Sequence, residues 1–138
     1  MDLELSNAIW LFVVIFMLHD FEEIITVEQW ANKYQHKVTG NNIWIKKKIW
    51  QFWNLNSNSF AKRDVIIFII MCSITFIKIH FFHSSWSSIL YLSFIVFVLI
   101  HNIVHVLQTL VLRAYTPGLY TAIFLVTPYI IYLLSRLL

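Results

Sequence analysis

The segment 18–23, with the sequence LHDFEE, brings together side chains that can bind a metal ion or exchange protons. Its histidine and three carboxylates come directly after a run of 11 hydrophobic residues. Glu22 and Glu23 lie three and four residues after His19, so a helix would place these three side chains on one side. Asp20 is predicted to point elsewhere. Neutral imidazoles and carboxylates are good ligands for zinc or iron, and a carboxylate can also act as a general base.

A second polar group interrupts a later apolar segment. His101 and His105 are four residues apart, a spacing at which two side chains of one helix can share a metal ion. Gln108 continues this stripe by one turn, and Asn102 flanks it. If both segments cross a membrane in the same direction, the two polar groups lie at a similar depth and can face each other.

The energetic cost of these groups argues against an incidental origin. A carboxylate in the middle of a bilayer costs about 3 kcal/mol, whereas each large apolar residue returns only about 0.3–0.6 kcal/mol. Three ionised carboxylates would therefore roughly cancel the gain from the whole preceding apolar run. Interfacial depth, protonation, partner side chains or a metal ion must compensate for them.

The sequence predicts a divalent metal ion, zinc or iron, as this compensation. Two facing helices would supply four or five ligands, as in other bundle cores that hold metals. The predicted ligands are His19, Glu22, Glu23, His101 and His105. Glu22 and Glu23 are also the candidate catalytic residues, and Glu23 is interpreted either as a bridging ligand or as the general base.

A polar turn precedes the last apolar segment and suggests a place for a substrate. Arg113 could hold a phosphate or carboxylate head group, although a cytoplasmic location alone would also explain a positive charge there. Pro117 and Gly118 suit a tight chain reversal. The predicted substrate-binding residues are Asn102, Gln108, Arg113 and Tyr115.

The composition indicates which kind of element positions these residues. Of the 138 residues, 59% are hydrophobic and only 12% are charged, whereas charged residues make up about 25% of a typical soluble domain. The chain is therefore predicted to be a single membrane domain, residues 1–138, with the lipid bilayer as its surroundings. Its net charge of +3 is small and clustered, which argues against binding to nucleic acid.

The predicted fold is all-α, a four-helix transmembrane bundle with an amphipathic interfacial helix between the first and second spans. The spans are predicted at about 7–27, 65–82, 86–112 and 119–138, because a helical span needs about 20 mostly apolar residues. Seven of the ten lysines and arginines fall in the intervening loop, 28–63, which places this loop in the cytoplasm and both termini outside. Residues 43–53 mix aromatic residues with lysines, which favours a helix in the lipid headgroup layer.

Three motifs of this chain resemble those of one known family. They are His19-Asp20-Phe21-Glu22-Glu23, His101-Asn102-Ile103-Val104-His105, and Arg113-Ala114-Tyr115-Thr116-Pro117-Gly118. Together they resemble the HXXEE family, small integral membrane proteins named for the first motif and without an established activity. The resemblance spans nearly the whole chain and supports most of the site residues given above, whereas His101 rests on helical geometry.

The functional hypothesis is an intramembrane metal-dependent enzyme of the hydrolase or isomerase type. It would act on a lipid or an amphiphilic small molecule at a site near the cytoplasmic leaflet. Two alternatives use the same residues: a proton or ion relay, or a membrane subunit without enzymatic activity that docks a partner. The sequence is also compatible with a homo-oligomer.

Overall fold

The computed structural model describes residues 3–39 and 43–138, and within these residues it contains helices and no β-strand. This confirms the predicted all-α class. In chain order the helices are α1 (Leu3–Thr39), α2 (Trp44–Trp53), α3 (Ser57–His80), α4 (Ser85–Leu112) and α5 (Leu119–Leu137).

The segment predicted as a loop, 28–63, is largely helical. Helix α1 continues 12 residues past Val27 to Thr39, because no proline or glycine interrupts the sequence there. The helix predicted within 43–53 is present as α2, with Trp53 buried and Trp44 exposed. Helix α2 is therefore attached to the bundle by its C-terminal end.

Two of the described helices, α4 and α5, are long and apolar enough to cross a membrane. Only 28% and 22% of their most apolar windows are buried inside the protein. Large apolar side chains such as Phe97, Leu110 and Phe124 are exposed on them. The predicted spans at 7–27 and 65–82 do not meet the same criterion, and α1 carries charged residues along its length, whereas α3 carries them near both ends. The bundle of four spans is therefore not confirmed.

The core consists of two apolar clusters with polar residues between them. The larger cluster is centred on Phe12, Tyr91 and Ile130, from α1, α4 and α5. The smaller one includes Trp30 from α1 and Trp53, the last residue of α2. Along α1, the segment His19 to Glu23 falls between the residues that belong to the two clusters.

Helix α5 contains one wide turn, a π-helical segment at Ala122–Val126. Pro128 follows it closely, and since proline has no N–H and crowds the carbonyl four residues earlier, the α-helical pattern cannot continue unchanged through this point. The Nδ2 group of Asn102 donates to the Thr127 hydroxyl at 3.0 Å and to the Ala122 carbonyl at 3.4 Å. Asn102 therefore fastens this turn of α5 to α4.

The turn between α4 and α5 brings the backbone of Gly118 against α1. Gly118 has φ +80°, in the left-handed region that favours glycine. A Cβ atom added to Gly118 would lie 2.7 Å from His19 Cε1 and 2.8 Å from Glu23 Cγ. The predicted reversal at Pro117 and Gly118 is present, and glycine is required there both for its conformation and for its close approach to the polar residues.

Candidate metal centre

Three imidazole rings and one carboxylate oxygen converge between α1 and α4. The Nε2 atom of His101 lies 3.3 Å from that of His19 and 2.9 Å from that of His105. The Oε1 atom of Glu23 lies 3.0 Å from His105 Nε2, 3.5 Å from His19 Nε2 and 3.8 Å from His101 Nε2. Four of the five predicted metal ligands therefore lie together, and we call these four the imidazole centre.

The spacing within the imidazole centre fits a metal ion. A tetrahedral ion with bonds of about 2.0–2.1 Å keeps its ligand atoms about 3.3 Å apart. The separations among the four atoms in the structure, from 2.9 to 3.8 Å, bracket this value. The three rings are nearly perpendicular to one another, with interplanar angles of 84–86°. Their nitrogens can therefore approach one point from different directions.

Burial differs among the members of the imidazole centre. The side chains of His19, His105 and Glu23 are almost completely buried. Gly118 covers His19 and Glu23, and the ring of Trp53 lies 5.6 Å from that of His105. The side chain of His101 is 34% exposed, so access to the centre is from the His101 side.

Glu22 is not part of the imidazole centre, in contrast to the prediction that it is a ligand. Its Oε2 accepts hydrogen bonds from the backbone N–H of Thr121 at 2.8 Å and from the Thr121 hydroxyl at 2.5 Å. Its Oε1 accepts one from the Tyr115 hydroxyl at 2.6 Å. The reason is helical geometry: adjacent residues point about 100° apart, so Glu22 and Glu23 cannot share one direction.

Glu22 nevertheless acts on the centre through Thr121. The Nδ1 atom of His19 lies 3.0 Å from the Thr121 hydroxyl oxygen. That hydroxyl uses its single proton on an oxygen acceptor, Glu22 or the Gly118 carbonyl, so His19 Nδ1 must be the donor to it. The Nε2 atom of His19 is then unprotonated, and its lone pair is directed into the imidazole centre, where His101 Nε2 lies 3.3 Å away. Supports of this kind orient metal-binding histidines in many proteins.

A second group of carboxylates adjoins the centre. Asp20, Glu23 and Asp64 each offer an oxygen within 4.8 Å of the others. Two of them were missed as site residues, because Asp20 is directed away from His19 and Asp64 belongs to a different helix. We call this group the acidic side. The one sequence signal was the position of Asp64, a carboxylate at the start of a predicted span beside Arg63.

Arg63 only partly neutralises the acidic side. Its guanidinium group lies 3.4 Å from Asp64 Oδ1 and 4.0 Å from Glu23 Oε2. Burial raises the pKa of Asp64, which precedes the second predicted span, to about 6, and Arg63 opposes this rise. Among the described residues, Asp20 Oδ2 and Asp64 Oδ2 are buried without a hydrogen-bond partner.

A cavity of about 470 Å³ lies beside both groups. Its polar wall consists of Asp20, Glu23, Arg63, Asp64 and His101. Its remaining wall is apolar, from α1, α2, α3 and α4, and consists of Phe16, Phe52, Ile67, Ile70, Phe94, Phe97 and Val98. The cavity is therefore mainly apolar, and its polar wall includes His101, the partly exposed histidine of the imidazole centre.

The four predicted substrate-binding residues lie outside this cavity. Asn102 fastens α5, and Gln108 Oε1 accepts a hydrogen bond from the Trp53 indole at 2.9 Å. Arg113 lies in a separate groove that includes Lys37. These side chains therefore contribute to contacts between helices or to the turn, and they do not line the cavity.

Tyr115 is the fourth of them, and it supports Glu22. Burial and the hydrogen bond to the Glu22 carboxylate raise the pKa of the Tyr115 hydroxyl, which keeps it a donor. Its backbone carbonyl accepts a short hydrogen bond from the Trp30 indole.

Comparison with known proteins identifies the family. A family model described as "Protein of unknown function with HXXEE motif" matches residues 10–133. No curated protein and no solved structure matches the chain. The match includes His19, Glu22 and Glu23, the histidine and two glutamates of the motif. The chain belongs to the HXXEE family, whose function is not known.

Proposed function

We propose that this chain is an integral membrane protein that binds a divalent metal ion at the imidazole centre. We further propose that it is an enzyme of the hydrolase or isomerase type, with a lipid or another amphiphile as its substrate. Zinc and iron are the candidate ions, because both accept imidazole and carboxylate ligands.

The observation that carries the proposal is the convergence of electron-rich atoms in a buried place. The lone pair of His19 Nε2 and the Oε1 atom of Glu23 lie 3.5 Å apart, with the other two imidazoles around them. Such groups repel one another unless protons or a cation lie between them. Glu23 Oε1 is buried without a well-aligned hydrogen-bond donor among the described residues, which favours a cation.

The residues of the chain have separate roles in this proposal. A bound divalent ion would supply Lewis acidity, which polarises a carbonyl or phosphoryl oxygen. His19, His101 and His105 hold it, and Glu23 is either a further ligand or the general base. Thr121 and Glu22 fix the orientation of His19, and Gly118 excludes water from its far side.

The cavity supports an amphiphilic substrate. Its volume of about 470 Å³ is in the range of small-molecule sites. An apolar tail would lie among side chains such as Phe94 and Phe97, and a polar head would reach His101. Arg63, on the same wall, would favour a head group with negative charge.

The exposed apolar surface supports a membrane location. Helices α4 and α5 leave most of their apolar windows uncovered by the rest of the protein. Exposed apolar surface along most of two helices is uncommon on a soluble monomer, because exposing apolar surface to water costs about 25 cal/mol per Å². Lipid chains would cover this surface.

Elemental analysis of the purified protein tests the metal proposal. We expect one or more equivalents of a divalent metal in the natural protein and a large loss in His19→Ala and His105→Ala. The matched controls are His36→Ala and His83→Ala, which change exposed histidines and should retain the metal. Helical content and elution volume would show that all variants fold. Absence of metal from the natural protein after loading with zinc and with iron would refute the proposal.

The relay alternative is distinguished by a flux measurement. The apolar cluster around Phe12, Tyr91 and Ile130 occupies the bundle on one side of the imidazole centre, which favours a closed site over a continuous path. Vesicles containing the protein are therefore expected to show no proton or ion flux beyond that of empty vesicles. Flux that is lost in a folded Glu22→Gln variant would instead support the relay.

A further inference from the structure

We propose that the acidic side is a second cation site, so that Glu23 bridges two ions in one dinuclear centre. The second site would take a hard divalent ion, such as Mn²⁺ or Fe²⁺, through Asp20, Asp64 and Glu23. This inference rests on the proposed metal binding at the imidazole centre.

Helical geometry makes Glu23 the residue shared by both groups. At about 100° per residue, Glu23 lies about 40° from His19 in one direction and about 60° from Asp20 in the other. Its carboxylate therefore falls between them. The distances agree, because Glu23 belongs both to the imidazole centre and to the group with Asp20 and Asp64.

The acidic side has unsatisfied oxygen atoms that a cation would satisfy. Asp20 and Asp64 are each only 2% exposed, and their Oδ2 atoms have no hydrogen-bond partner among the described residues. Buried polar atoms in native proteins are rarely left unpaired, because each costs free energy when it is removed from water. Asp20 and Asp64 both line the cavity, through which an ion could enter.

The charges point to a divalent ion. Three carboxylates approach one another, and among the residues that the structure describes the cationic side chain paired with them is Arg63, which reaches Asp64 at 3.4 Å and Glu23 only at 4.0 Å. If the three carboxylates are ionised, two negative charges remain after Arg63 is counted. Carboxylate oxygens without imidazole suit harder ions than those preferred by the imidazole centre.

Metal stoichiometry tests this inference separately from the first one. We expect two equivalents of Fe²⁺, loaded without oxygen because this ion suits both groups, per natural chain and one equivalent in Asp20→Asn and in Asp64→Asn. The control Glu28→Gln, which changes an exposed carboxylate, should keep two. A natural chain with one equivalent, unchanged in both aspartate variants, would overturn the second site and leave the first intact. No bound metal at all would overturn both.

Electron paramagnetic resonance provides a readout that needs no variant. Two Mn²⁺ ions joined by the Glu23 carboxylate are expected to give an exchange-coupled spectrum in the natural chain at saturation. The spectrum of isolated Mn²⁺ ions from chains that hold two equivalents of Mn²⁺ would contradict the bridge, even if an aspartate variant failed to fold.

Discussion

The two sides of Glu23 differ in how completely the protein has arranged them. On the imidazole side, Thr121 fixes the orientation of His19, and Gly118 and Trp53 cover the rings. On the acidic side, two buried carboxylate oxygens lack hydrogen-bond partners within residues 3–39 and 43–138, and a cavity adjoins the two aspartates. The Glu23 carboxylate thus belongs both to the buried imidazole centre and to the acidic side, which lies beside the cavity.

This difference suggests that the two sides bind metal ions with different affinities. A ligand set held by buried supports keeps its geometry and binds tightly. A group beside a cavity can exchange ions or contact a substrate. The imidazole side is therefore expected to hold its ion firmly, and the acidic side is expected to be the weaker and more accessible position.

The largest effect is expected from Glu23→Gln, because this residue belongs to both sides. The amide has the same shape but no charge, so both metal positions should weaken together, by more than the roughly 10–100-fold loss typical of changes outside the ligand shell. Isothermal titration with Zn²⁺ and Mn²⁺ would measure this. Loss of only one position would show that Glu23 is not shared.

Gly118→Ala should have the next largest effect, and it should mainly weaken metal binding on the imidazole side. The new Cβ would lie 2.7 Å from His19 Cε1, and an alanine in the left-handed region costs about 1–2 kcal/mol. We expect zinc affinity to fall about 100-fold, together with lower stability in detergent. The control Arg113→Ala keeps a side chain at a left-handed position of the same turn, away from the site. An equal loss of zinc affinity in this control would mean that the effect is general.

Thr121→Val removes the hydroxyl that accepts from His19 Nδ1 and should weaken zinc binding about 10-fold. The matched control is Thr75→Val, because the Thr75 hydroxyl is buried without a partner among the described residues. Manganese binding on the acidic side should change little in either variant. Unchanged zinc affinity in Thr121→Val would contradict the role assigned to Glu22 and Thr121.

The smallest effect is expected from Arg63→Gln, and it has the opposite sign. Removing this positive charge leaves the acidic side more negative, so its affinity for Mn²⁺ should rise, roughly fivefold for a partly exposed ion pair. Lys62→Gln, at the exposed neighbouring position, is the control. A fall in Mn²⁺ affinity would indicate that Arg63 orients Asp64 for binding and does not compete with the ion.

Sequence periodicity was sufficient for part of the site. The spacing of four residues placed His19 with Glu23, and His101 with His105, because a helix repeats its direction after about that interval. The same reasoning failed for Glu22, whose direction is set by Thr121 and Tyr115. These partners follow it by more than 90 residues, beyond the reach of any local pattern.

Local sequence patterns also could not predict the acidic side. Asp20 is predicted to point away from His19, and Asp64 follows Asp20 by 44 residues on a different helix. Neither residue has a local signal that it meets the other. Their proximity depends on the packing of α1 against α3.

Composition, motifs and the fixed rotation per residue of a helix were enough to predict the family, the helical class and the residues that share a face of α1 or α4. The tertiary structure decided which faces meet. It brought Asp64 to Asp20, placed Thr121 between Glu22 and His19, and set Gly118 against the site. The physical reason is that side-chain direction within a helix follows from local backbone geometry, whereas contacts between helices depend on how the whole set of apolar surfaces packs together.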